Sequence, residues 1–305
     1  MTSRAEVRLL LQDATLTVDG AAATATEILT LPPQPPDGFL DGPACRRLAV
    51  VDFDPQTGAA QGPPVALERP APGRVTGRYR ADGELTSPGS LAVNAFGTAF
   101  KTLAMFERPT GLGRPVRWAF GGEQLLVVPR AGTWANAFYE RRTRSLQFFS
   151  FAARDGQTVH TALSRDIVAH EMGHALLDAV APHLYDSLGV QGLATHEAVA
   201  DLVAVLVAID TDKLRERVLD AVGNDLAGTN AFTMIAEEFG RARAGAELPR
   251  RTALRELANS DTVADRRAAG PHALSTVLSG LLYDTLADTY ASIRATLTER
   301  EPALS

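Results

Sequence analysis

One cysteine in 305 residues, Cys45, excludes an internal disulfide, and nothing in the composition calls for an oxidising compartment. The thiol reads as inert and partly buried. Lysine is nearly absent: Lys101 and Lys213 stand against 28 arginines. With so much alanine, this bias reads as a GC-rich genome rather than a function. The cluster Arg141-Arg142-Thr143-Arg144 reads as a polar hairpin tip rather than a binding patch. Positive charge is not in excess. The net charge of −6 leaves no electrostatic footprint for nucleic acid. No apolar run reaches transmembrane length, Leu202 to Ile209 being far short of it, so no membrane insertion is expected. Met1 to Asp13 mixes Arg4, Glu6 and Arg8 with a short leucine run and does not resemble a signal peptide. The expectation is a cytoplasmic protein, or one exported without a cleavable signal. No internal repeat is evident, and the sequence does not state an oligomeric order.

What remains is an ordinary soluble composition, 45% hydrophobic and 22% charged, long enough for one large or two modest domains. Residues 1–80 alternate and are punctuated by Pro and Gly. Arg47 to Phe53 reads as a strand, Asp54 to Gly58 as a turn and Val65 to Glu68 as a returning strand. Leu91, Ala95, Ala99, Leu103 and Phe106 make a helical stripe that ends at Pro109 and Gly111. Strand candidates follow at 116–120, 124–128, 133–139 and 145–151. From Ser164 the pattern is helical, over 164–180, 197–209, 212–222, 229–244, 252–258 and 273–296. Strands lead and helices follow, which predicts an α+β fold with two lobes.

The densest chemistry lies in His170-Glu171-Met172-Gly173-His174, an H-E-x-x-H pattern inside a predicted helix. Helical spacing puts two imidazoles on one face, where both can bind one Zn²⁺, and sets the Glu beside the metal as a base for a water. A catalytic zinc needs a third protein ligand. An HExxHxxGxxH arrangement fails, because Leu177 stands at the Gly position and Val180 at the third His. Thr195-His196-Glu197-Ala198-Val199-Ala200-Asp201 offers a Glu on a second helix, with Asp201 one turn later on the same face. A carboxylate on so apolar a helix needs a partner. The second ring N–H of a zinc-bound His is a natural one. The plain alternative is that Glu197 and Asp201 are acids at a helix N-terminus.

HEMGH followed by HEAVAD resembles the thermolysin-like metallopeptidases, gluzincins whose third ligand is Glu. Here His196 stands where that family has Asn, and the spacer is slightly longer. The resemblance implies one Zn²⁺ on His170, His174 and Glu197, with Glu171 as general base and Asp201 orienting His170. Trp134 to Tyr139 resembles the family's N-A-F-W edge strand, which implies that Asn136 and Ala137 hold a substrate peptide as an added strand. Ala253-Leu254-Arg255 resembles the Leu-Arg pair lining the pocket after the scissile bond. Gly270 to Ser275 resembles the segment whose His, here His272, stabilises the oxyanion. Tyr185 is a looser match to the second oxyanion donor. Each of these also has a plain reading: Asn136 in a turn, His272 capping a helix after Pro271, Arg255 solvated on a helix.

The resemblance covers about residues 90–290. It implies a two-lobed fold, with residues 1–80 a β-rich segment of unassigned role and 81–305 the peptidase domain. Within that domain, 81–180 would be the N-terminal lobe with the HExxH helix, and 181–305 the helical C-terminal lobe. Calcium is not expected. Asp166 matches one acid of the family's calcium site, but Ala208 stands where the family has Glu, and only Asp210 and Asp212 follow. The expected activity is zinc-dependent hydrolysis of peptide bonds, with a peptide or protein as substrate. Two alternatives stay open. One is a delivered effector or toxin protease with a single host target; the other is a non-catalytic, zinc-stabilised binding module.

Overall fold

The computed structural model describes residues 2–11, 17–18, 21–22, 26–54, 56–69, 76–81, 83–154, 156–187, 189–236, 255–266 and 269–300. Before residue 80 the strands are β1 (Arg4–Leu10), β2 (Thr17–Val18), β3 (Ala21–Ala22), β4 (Thr26–Thr30), β5 (Phe39–Leu40), β6 (Ala44–Cys45), β7 (Leu48–Val50), β8 (Leu67–Glu68) and β9 (Thr76–Tyr79). Then come helix α1 (Pro88–Glu107) and strands β10 (Leu125–Val128), β11 (Ala137–Glu140), β12 (Ser145–Phe148), β13 (Ser150–Ala152) and β14 (Thr158–His160). The second half holds α2 (Arg165–Val180), α3 (Pro182–Tyr185), α4 (Val190–Ile209), α5 (Asp212–Ala221), β15 (Met234–Ile235), β16 (Arg255–Glu256), a short helix Val263–Arg266 and a C-terminal helix Pro271–Arg300. The fold is mixed α+β, with β-rich sheets first and a helical region after, as the order of the patterns implies.

One sheet runs β4-β1-β9-β8, and a larger one runs β11-β12-β10-β7-β6-β5. Strands from before and after residue 80 share the larger sheet, because β10 pairs in parallel with both β7 and β12. Between these sheets and the later helices lies α1, its start set by Ser87 accepting from the Ser90 N–H and by Pro88 in the first turn. Its close approach to β1 depends on Gly97, where a Cβ would fall 2.5 Å from Leu9 Cδ2. Cys45 is buried in the same core, and that burial pushes its thiol pKa up.

Five expectations change. The strand expected at 116–120 does not form, and the one expected at 145–151 splits into β12 and β13. The helix expected from 229 does not start. Asn230 accepts from the Phe232 N–H and Thr233 Oγ1 accepts from the Asn230 N–H, closing a turn that leads into β15. The helix expected at 252–258 is the strand β16 in its described part, paired with β15. Helix α4 begins at Val190, seven residues before the expected start, so Glu197 sits two turns inside it. The longer helix is apolar and long enough to cross a membrane by length and composition. In this fold it packs between α2 and the C-terminal helix.

Candidate metal centre

Helix α2 starts at Ser164, whose side chain accepts from the Ile167 N–H. It crosses α4 at Gly173, where a Cβ would lie 2.8 Å from Ala200 Cα. Only a glycine lets the backbones approach so closely, and this contact lies between the two histidines of α2 and the carboxylate of α4. His170 and Glu171 are buried and His174 is nearly so; ligand atoms of all three lie within 4.8 Å of one another. This is a group that can hold a metal ion. Across the crossing, Glu197 Oε2 lies 3.5 Å from His170 Nε2, and Oε1 lies 3.6 Å from His174 Nε2. Tetrahedral ligands at about 2.0–2.1 Å from zinc sit about 3.3 Å apart, and each of these two separations, one to each oxygen of Glu197, is close to that spacing.

Both rings are held by their other nitrogen. His170 Nδ1 donates to Asp201 Oδ1 at 3.0 Å. His174 Nδ1 lies 2.7 Å from His196 Nδ1. Asp201 is fully buried and also accepts from Arg255 Nη1 and from Ser279 Oγ, the latter at 2.9 Å. Arg255 Nη2 donates to Glu197 Oε2 at 2.6 Å, and His272 Nδ1 reaches the same oxygen at 3.0 Å. Glu197 therefore has one oxygen shared by Arg255 and His272, and a second, Oε1, facing His174.

The electrostatics favour positive charge at this point. Burial and Arg255 act to lower the His170 pKa, but the carboxylates of Asp201 and Glu197 outweigh them and push it up to about 9. Burial works against the charge of Glu197, yet the surrounding histidines and Arg255 hold its carboxyl well below the usual range. Glu171 has less compensation, and burial pushes it up to about 7. His174 is driven down by burial.

A cavity of about 950 Å³ opens over the group, and Asn136, Ala137, Tyr139, Tyr185, Arg255 and His272 are among its lining. Along one wall runs β11, with β12 on one side and no strand on the other among the described residues. The Tyr139 N–H on that free edge donates to Glu171 Oε2 at 3.0 Å. Asn136 and Ala137 stand at the start of this edge. The Tyr185 hydroxyl accepts from the Arg141 N–H at 3.2 Å and donates to Glu140 Oε1 at 3.4 Å, so it is tied to the far end of β11. His272, the second residue of the C-terminal helix, is 73% exposed at its side chain. Leu254 lies outside the described residues. Arg255 is nearly buried in a strand rather than solvated on a helix.

Several residues of this centre were not legible beforehand. Asp178 is fully buried and accepts from the Tyr139 hydroxyl at 2.7 Å and from the Arg141 guanidinium. Its signal was its place one turn after His174 on a buried helix, with no partner nearby in sequence. Arg141 stands in the turn of the β11–β12 hairpin, as expected, but its side chain reaches Asp178, binds Asp186 as well and lies over the Tyr185 ring. Ser279 carried no signal at all. No protein-family model matches the chain, and no curated protein matches it either. The finding is a candidate metal-binding group of HExxH type on α2.

Proposed function

We propose that the protein is a zinc-dependent endopeptidase, a two-lobed member of the thermolysin-like type with the site between its lobes. The observation that carries this reading is Glu197 lying across from the Nε2 atoms of both His170 and His174, with Glu171 buried beside them. A structural site has no use for that additional, poorly compensated carboxylate, which argues against a mere binding module. His170, His174 and Glu197 would hold Zn²⁺, which when bound acidifies water and polarises a carbonyl.

The chain's own groups supply the rest. Glu171, with its pKa pushed up to about 7, is suited to take a proton from the attacking water and pass it to the leaving amine. The Tyr139 N–H steadies its carboxylate. His272 donates to the oxyanion that develops on the scissile carbonyl, with Tyr185 the candidate second donor. The free edge of β11 at Asn136 and Ala137 accepts the peptide as an added antiparallel strand. Arg255 would face the residue after the scissile bond, and the Leu-Arg resemblance implies an apolar side chain there. Asp201 keeps the His170 ring in place.

The test is a quenched-peptide or casein assay with and without a zinc chelator, repeated with Glu171→Gln. Activity should vanish with chelator and return with zinc. Glu171→Gln should keep zinc and lose turnover, because an amide cannot accept the proton. Zinc-loaded wild-type protein that cleaves no peptide would overturn the peptidase reading and favour the binding module.

A further inference from the structure

His170 and His174 are supported differently. His170 has a carboxylate behind it, Asp201, whose charge is answered by Arg255 and Ser279. His174 has a second imidazole, His196, at 2.7 Å between the two Nδ1 atoms. Such a contact needs one donor and one acceptor, and a neutral imidazole carries one of each. His196 is buried, and its Nε2 has no hydrogen-bond partner among the described residues. The bond to His174 is thus the polar contact that this side chain makes. Its ring also lies 4.9 Å from His174 and 5.9 Å from Tyr185 between centroids, which holds it in place.

We propose that His196 is a positioning residue for the metal, its Nδ1 accepting the Nδ1–H of His174 and so leaving His174 Nε2 bare as a ligand. The inference rests on the zinc reading of the site. In the opposite arrangement His196 donates, His174 carries its proton on Nε2, and that nitrogen cannot ligate. Either arrangement leaves one Nε2–H without an acceptor, that of His196 in the first and that of His174, 3.6 Å from Glu197 Oε1, in the second, so the choice between them rests on the metal, which only a bare His174 Nε2 can bind. A neutral acceptor also has a physical reason here. Glu171, Glu197 and Asp201 already place three carboxyl groups around the histidines, and a fourth behind His174 would add buried negative charge. An imidazole orients the ring without that cost. Residues 196 and 197 are neighbours on α4, so one turn of one helix delivers both the ligand and the support.

The experiment uses full-length protein in which the histidine ring nitrogens are ¹⁵N-labelled. Metal-free wild type should show His174 protonated at Nδ1. His196→Leu should move that proton to Nε2, the tautomer a free imidazole prefers. It should also raise the zinc Kd, measured against a chelator, by about 10- to 100-fold. His196→Asn should restore both readouts, because its Oδ1 sits where Nδ1 does and can accept the same proton. A simple packing role would not give that rescue. Metal-free wild type with His174 protonated at Nε2 overturns the proposal without any variant. So does a His196→Leu that binds zinc like wild type, or a His196→Asn as weak as His196→Leu. Wild type that binds no zinc overturns the zinc reading and this role with it. Zinc binding with the wrong tautomer overturns this role alone.

Discussion

Gly173 and Ala200 meet so closely that a Cβ on the glycine would lie 2.8 Å from the alanine Cα and 3.3 Å from its Cβ. The contact is backbone against backbone, so no flexible side chain can move aside. It fixes how near α4 lies to α2, and with it the 3.5 and 3.6 Å separations between Glu197 and the two histidines. Gly173→Ala should therefore push the helices apart. Overpacking of this kind costs about 1–3 kcal/mol, readable as a lower urea midpoint. Zinc affinity should fall in the same variant. Wild-type zinc binding in Gly173→Ala would mean that this crossing does not set the ligand spacing.

His272 stands 3.0 Å from Glu197 Oε2 with its side chain open to the cavity. A donor that acts mainly on the developing oxyanion affects kcat more than KM. His272→Ala should lower kcat by about 10²-fold or more while KM stays close to wild type. Steady-state kinetics on a quenched peptide decide the matter. A change confined to KM would make His272 a substrate contact instead.

The fully buried Asp178 depends on Arg141, which also bonds the carbonyl of Pro182. Removing one partner of a buried pair leaves an uncompensated charge, and Arg141→Ala should cost about 3–5 kcal/mol in urea denaturation. Arg141→Lys should not restore it, since a single ammonium cannot reproduce the forked contact. The Tyr139 hydroxyl shares Asp178, so the loss should also loosen β11 beside Glu171. Negligible destabilisation by Arg141→Ala would contradict this account of the network.

Calcium should do little. Asp166 accepts from Arg165, Asp210 from Arg108 and Asp212 from Arg215, so each of these three acids has an arginine partner. A tight Ca²⁺ site needs about six or more oxygens gathered at one point. Zinc-loaded protein should melt at the same temperature in millimolar Ca²⁺ and in a Ca²⁺-selective chelator. A rise of many degrees with Ca²⁺ would reveal a site formed by other groups.

The parts of the site that could be read from the sequence are those that depend on helical spacing. His170, Glu171 and His174 lie within one turn or so of each other, and Ser164 marks the start of their helix. Glu197 and Asp201 are one turn apart on α4 whatever the fold does. The start of α4 was less legible. Val190 to Ala194 continue its helix without a capping side chain at Gly189, so no local signal marked the boundary. The helix expected at 229–244 does not start in its described part, 229–236, because two polar side chains, Asn230 and Thr233, offer the backbone a turn that a periodic pattern of apolar residues does not register; 237–244 lie outside the described residues.

By itself, then, the sequence determined the kinds of atom available at the centre and the local geometry of each helix that carries them, because α-helical periodicity is a property of neighbouring residues. Tertiary structure alone decided which of these atoms meet. The α2–α4 crossing brings Glu197 to the two histidines, and the edge of β11 supplies an N–H to Glu171. Arg255 enters from a two-residue strand to bind both carboxylates of α4, where its surroundings in the sequence suggested a helix. These contacts join segments tens of residues apart. They are set by close packing and by the need of every buried charge for a partner, and no local pattern encodes either.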